Sequence, residues 1–269
     1  MQLPGPGVFG PPRDHAAAIA VLRRAVDLGV DHIDTAQYYG PDVANALIRE
    51  ALHPYPEQLV LVSKVGARRD DAGAWLPAQR PEELRRGVEA NLRALGIERL
   101  GAVNLRRLSG AGLPADQQVV YEDQLAEMAA LRDEGKIAAI GVSTVSLAEV
   151  DQAIDSVGIA CVQNAFSLVD QRDAAVLDRC YEAGVAYVPY FPLGSAFPGM
   201  PKVTDDPAVI AVAARLDVTP AQVGLAWLLA HRDNVLLIPG TSSVAHLEEN
   251  IQAGVVELSD DDLASLDAR

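Results

Sequence analysis

Residues 32–40 read HIDTAQYYG. The stretch places a short strand over 32–34, a carboxylate, Asp34, at its tip, and two tyrosines, Tyr38 and Tyr39, in the loop that follows. Working outward, 14–28 carries a helical apolar period that stops at Gly29, and 42–52 carries another. LVLVSK, residues 59–64, then repeats the pattern: an apolar run over 59–63 ends on a lone cation, Lys64. Strand, polar tip, loop and helix form the repeating unit of this chain.

Further strands are expected over 100–105, 138–142, 160–163, 186–190 and 235–238. Helices are expected over 81–95, 121–134, 147–156, 173–183, 207–230, 244–253 and 260–268. Ser146 opens Ser-Leu-Ala-Glu, a capping box for the helix over 147–156, and Gly135 and Gly184 sit at two other helix ends. Alternation of this kind predicts a parallel α/β sheet, and so many units predict a (β/α)8 TIM barrel as one domain over 1–269. A doubly wound sheet is the competing arrangement, but it usually relies on a G-x-G-x-x-G turn. GPGVFG, residues 5–10, matches those letters. Too few residues precede it for a strand, and Pro6, Pro11 and Pro12 delay the first helix, so it reads as a rigid loop.

The chain has 269 residues and a formal net charge of -15, which argues against nucleic-acid or anionic-membrane partners. Cys161 and Cys180 stand alone, as suits a reducing compartment, and neither a long apolar run nor a signal pattern is present. A cytoplasmic location is expected. His15, His32, His53, His231 and His246 show no metal-site spacing, and no metal is expected.

Barrel chemistry gathers where strands end. Besides Asp34, Tyr39 and Lys64, the strand ends carry Ser143 and Thr144, Gln163 and Asn164, Tyr190, and the run IPGTSS over 238–243. Each has a plain alternative as a cap, a loop amide or packing. A full succession of them does not.

With DTAQYYG, VSK, GVS, VQN, PYFPLG, TPAQVGLAWLL and IPGTSSVAHLEEN in that order, the chain resembles the aldo-keto reductases over almost its whole length. The resemblance implies a barrel that reduces the carbonyl of a small aldehyde or ketone with a nicotinamide cofactor, usually NADPH. It implies Tyr39 as general acid, Lys64 beside it and Asp34 paired with the lysine. The physics agrees: hydride arriving at carbon leaves charge on oxygen, and a neighbouring ammonium lowers a phenol's pKa. Ser143 and Gln163 match positions that hold the nicotinamide carboxamide, and Tyr190 matches the ring that stacks on it. Glu249 and Asn250 match contacts to adenine. The family's cations against the 2'-phosphate are replaced by Gly240 and His246, leaving Thr241, Ser242, Ser243 and helix amides for that task. NADH therefore stays open beside NADPH.

Two departures stand out. VNLRR, residues 103–107, has Arg106 where the family carries a catalytic histidine; turned inward, Arg106 is expected to act in catalysis by stabilising an oxyanion and lowering the Tyr39 pKa beyond what Lys64 does alone, the alternatives being an outward pairing with Asp116 or a catalytically impaired cofactor-binding sensor. Met1 aligns near the end of the family's first barrel strand, so that strand is expected to be truncated. Trp75 and Phe197 are the expected apolar pocket walls. VNLRRL and IPGTSSVAHLEEN most resemble a bacterial subgroup that includes pyridoxal reductases, which suggests a pyridoxal-like aldehyde.

Overall fold

A computed structural model describes residues 2–108, 110, 112–194 and 199–268; Phe197 lies outside them. Two compact units are defined: Met1–Val162 with Gly240–Val244, and Gln163–Pro239 with Ala245–Arg269.

In the first unit, Asp14 accepts from the Ala17 amide and opens α1 (His15–Asp27), which buries Ala18, Ile19, Val21, Leu22 and Ala25. Gly29, at φ 88°, turns the chain into β1 (His32–Asp34). After α2 (Val43–Leu52) comes β2 (Val60–Arg69), then β3 (Trp75–Ala78) and α3 (Pro81–Leu95). Next follow β4 (Leu100–Arg106), α4 (Tyr121–Asp133), β5 (Ile137–Ser143), α5 (Leu147–Ser156) and the start of β6 (Cys161–Gln163). β1, β2, β4 and β5 pair in parallel, in that order. The register sets Asp34 beside Val62, Lys64 beside Asn104, and Arg106 beside Ser143. Asp34, Lys64, Arg106 and Ser143 thus gather at the C-terminal ends of four neighbouring strands. The GPGVFG loop forms no dinucleotide turn; Gly40 instead ties it down, accepting from the Gly10 amide and donating to the Val8 carbonyl.

Sequence patterning ends β2 too early and treats 71–77 as loop. The strand continues to Arg69 and turns back as β3 in an antiparallel hairpin, pairing Gly66 with Ala78 and Arg69 with Trp75. Gly66 makes this possible: at φ 103° it passes so close to β4 that a Cβ would lie 2.1 Å from the Arg106 carbonyl oxygen.

The second unit holds α6 (Ala174–Glu182), β7 (Ala186–Tyr187), α7 (Pro207–Leu216), α8 (Pro220–His231), most of α9 (Val244–Gln252) and α10 (Asp260–Asp267). Three expectations fail here, the first being the strand over 186–190, which stops at Tyr187. The helix over 207–230 is two helices, because Asp217 takes a left-handed conformation and Thr219 caps a new start at Pro220. The strand over 235–238 shrinks to a bridge between Val235 and Tyr187, and Pro239 has no N–H to prolong it. Phe166 stacks on Trp227 and meets Tyr187 edge-on, forming this unit's aromatic core.

Candidate active site

Two buried polar layers support the first unit's strand ends. Thr35 donates to Asn45 Oδ1, Asn45 donates to Asn91 Oδ1, and Ser63 donates to the same oxygen at 2.6 Å. All four residues are buried. The network anchors the backbone next to Asp34 and Lys64, because Thr35 follows the former and Ser63 precedes the latter. A second layer joins Gln79, Gln117 and Gln124 to the loop after β4, with the Leu108 amide donating to Gln79 Oε1 at 2.6 Å.

On that support Lys64 Nζ donates to Asp34 Oδ1 and to the Thr35 carbonyl at 3.3 Å. Both side chains of this ion pair are buried. The ammonium lies 5.3 Å from the Tyr39 ring centre. Tyr38 meets Tyr39 edge-on at 5.4 Å and Trp75 edge-on at 5.4 Å. The Arg106 guanidinium sits 5.5 Å from the Trp75 ring centre.

Burial raises the Tyr39 pKa far above the ordinary phenol value; the Asp34 charge pushes the same way, and Arg106 opposes both. Sequence reasoning expects Lys64, with Arg106 adding to it, to bring this pKa down; the net direction is the reverse, because burial and the Asp34 charge outweigh Arg106. Tyr38 is raised as well, by burial and by Tyr39, against the pull of Lys64 and Arg106. Arg106 does not swing out to Asp116, which lies instead 3.9 Å from Arg80. The neighbouring Arg107 is tied down: it pairs with Glu149 at 2.5 Å, donates to Gln124 at 2.7 Å and lies over Tyr121.

Ser143, at the end of β5, is buried with its hydroxyl 3.4 Å from that of Thr144. In the same unit Gly240 is exposed and near Gln2, and Thr241 Oγ1 accepts from the Ser243 amide at 3.0 Å, shaping the turn before α9. Ser242 is exposed. In the second unit Gln163 and Asn164 are buried, and the Tyr190 amide donates to the Asn164 carbonyl at 3.0 Å. The half-buried Tyr190 ring stands edge-on to Phe191. Glu249 and Asn250 are half-buried on α9.

Sequence reasoning passed over Asn45, Asn91, Asn104 and Arg69. The first two carried a signal: each is a polar residue on the buried face of a helix, alongside Leu47 and Ile48 in α2 or Val88 and Leu95 in α3. Asn104 faces a glycine, and a Cβ at Gly141 would lie 2.2 Å from its oxygen.

Residues 5–269 match the Aldo/keto reductase family, and the chain belongs to that family of oxidoreductases. It is 48% identical over 268 residues to pyridoxine 4-dehydrogenase of Escherichia coli, covering 99% of this chain and 91% of that protein. It is 37% identical over 267 residues to an uncharacterized oxidoreductase of Schizosaccharomyces pombe, covering 99% and 83%. Among solved structures, a thermostable aldo-keto reductase, Tm1743, with the inhibitor epalrestat superposes with a TM-score of 0.81 at 29% identity, covering 100% of this chain and 93% of that one. An aldo/keto reductase of Klebsiella pneumoniae in complex with NADP and acetate gives 0.79 at 26% identity, covering 94% and 85%. The fold class is therefore the (β/α)8 barrel of these reductases. No single helix among the described residues is long and apolar enough to cross a membrane.

Proposed function

We propose that the chain is a single catalytic domain over 1–269 that reduces the carbonyl of a small aldehyde with NADPH, Tyr39 serving as general acid. The observation that carries this reading is the buried Asp34–Lys64 pair beneath Tyr39, with Arg106 close enough to act on the phenol. The residues present fit a nicotinamide cofactor: Ser143 and Gln163 are buried polar side chains at strand ends, and Tyr190 offers a half-buried ring. Ser143, Gln163 and Tyr190 would hold the nicotinamide. Thr241, Ser242, Ser243, Glu249 and Asn250 would hold the adenine end. When bound, the reduced nicotinamide supplies the hydride.

This chain's own side chains handle the oxygen. Charge developing there is met by the Tyr39 hydroxyl, which passes its proton to the substrate, and by the fixed Arg106 cation, which stabilises the oxyanion without itself shuttling protons. The Lys64–Asp34 pair holds the floor of the site, and Arg106 offsets the phenolate left on Tyr39. The 48% identity to a pyridoxine 4-dehydrogenase supports a pyridoxal-like aldehyde as substrate.

A screen of NADPH oxidation over pyridoxal and aromatic and aliphatic aldehydes, run beside NADH, tests the reading. Turnover of pyridoxal with NADPH is expected. Tight NADPH binding with no turnover of any aldehyde would favour the second reading, a cofactor-binding sensor, which rests on Arg106 standing in the family's histidine position.

A further inference from the structure

A guanidinium acts at one point only if its long, flexible stem is held there. Arg107 shows one way of holding it, with Glu149, Gln124 and the Tyr121 ring around the side chain. At Arg106 the neighbours are aromatic. Its guanidinium sits 5.5 Å from the Trp75 ring centre, and the Tyr38 ring meets Trp75 edge-on at 5.4 Å.

Tyr38 buries a hydroxyl that its packing does not require. The side chain is 2% exposed and belongs to a cluster with Ala36, Tyr39, Ala44 and Ala67. Phenylalanine would fill the same space without enclosing a polar group, which is unfavourable when that group lacks a partner. The Tyr38 hydroxyl is fully shielded and makes no hydrogen bond of full geometry. Arg106 is the group that acts on it by hydrogen bonding as well as by charge, and Arg106 also acts on Tyr39. The two phenol rings stand edge-on, 5.4 Å apart. One guanidinium thus serves two adjacent tyrosines, of which the reaction uses only Tyr39 as an acid.

We propose that Tyr38 is a positioning residue for the carbonyl reduction: its phenolic oxygen accepts an N–H of Arg106 and, together with the Trp75 ring, keeps the guanidinium turned toward Tyr39. The proposal rests on the reductase reading above and adds a residue to it. Tyr38 gives no proton to the substrate, since burial holds its hydroxyl protonated, and it acts through Arg106. Enclosure favours this role, because a hydrogen bond to a charged group is stronger away from water.

A double-mutant cycle on the full chain tests the proposal, with NADPH and with pyridoxal and benzaldehyde as substrates. Y38F keeps the ring and removes the hydroxyl. It should lower kcat by about tenfold, the size of one hydrogen bond to a charged group, with NADPH affinity unchanged. In an R106A background the same substitution should change kcat by no more than about twofold, because the group it positions is gone. Equal losses in the two backgrounds, or no loss in the native one, would overturn the proposal, since a phenol that only fills space acts alike in both. Isotope-labelled arginine NMR, without substrate, reads the contact apart from turnover. The Arg106 guanidinium signals, identified by their loss in R106A, should exchange with water faster in Y38F, the other arginine signals staying fixed. That result supports the positioning role even if no aldehyde is reduced and the reductase reading fails. Unchanged Arg106 signals in Y38F overturn it even if reduction proceeds.

Discussion

Tyr39 owes its raised pKa first to burial and then to Asp34, so it stays protonated through neutral pH and remains able to donate. Replacing it with phenylalanine removes the proton and little else. Tyr39→Phe should lower kcat by about a hundredfold or more, with NADPH affinity, read by fluorescence titration, unchanged. Arg106 is the group that pulls the phenol downward. Reduction requires the protonated phenol, so a group that stabilises phenolate brings the alkaline fall-off to lower pH. The native profile should therefore fall at lower pH than that of Arg106→Ala, or of Arg106→His, whose imidazole is neutral there. Three superimposable profiles would remove Arg106 from the chemistry. Asp34, Tyr38, Tyr39 and Lys64 were legible because they stand at strand ends in an ordered series. That the Tyr39 pKa is raised rather than lowered was not legible, since it depends on how deeply the ring is enclosed and on Asp34 outweighing Arg106.

At the scale of elements, the site depends on how β2 is held. Asn91, on α3, accepts from Asn45 and Ser63 and donates to the Gly87 carbonyl. Asn91→Ala leaves two buried donors without acceptors and should cost about 2–4 kcal/mol in urea unfolding, with kcat of the folded fraction largely kept. Gly66→Ala acts differently. Its φ alone costs about 1–3 kcal/mol, and the added Cβ collides with the Arg106 carbonyl oxygen. That substitution should depress kcat as well as stability, because the strand segment carrying Arg106 must shift. Helix boundaries in the first unit were readable from caps such as Asp14 and Ser146. The β2–β3 hairpin was not, because its signal is one glycine whose need for a positive φ arises only when β4 lies alongside.

For the whole molecule, the carboxylates and histidines set a common acid limit. Glu83, Glu89, Glu149, Asp170 and Asp262 have lowered pKa values, and Glu134 is pushed down to about 2 by Arg85 and Lys136. Such groups add stability above their unfolded values of about 4, and that contribution disappears as pH falls toward the folded ones. His32 and His231 are lowered chiefly by burial, so the unfolded chain takes up their protons first, below about pH 6.5. The Tm should be level at neutral pH, decline gently below about 6.5 and steeply from about 4.5 toward 2. A Tm that stays constant down to pH 3 would contradict this account.

The sequence by itself determined the α/β class, the order of strands and helices, and the residue types at the strand ends, because periodicity, caps and turn glycines act over a few residues. It also carried enough ordered motifs to indicate the family. Tertiary structure decided which of those polar groups meet and which are spent on each other. Lys64 is committed to Asp34 and Arg107 to Glu149, while Arg69 and Arg106 keep their charge beside Trp75. Pairing of charges depends on distances between strands far apart in the chain, and no local pattern encodes those distances.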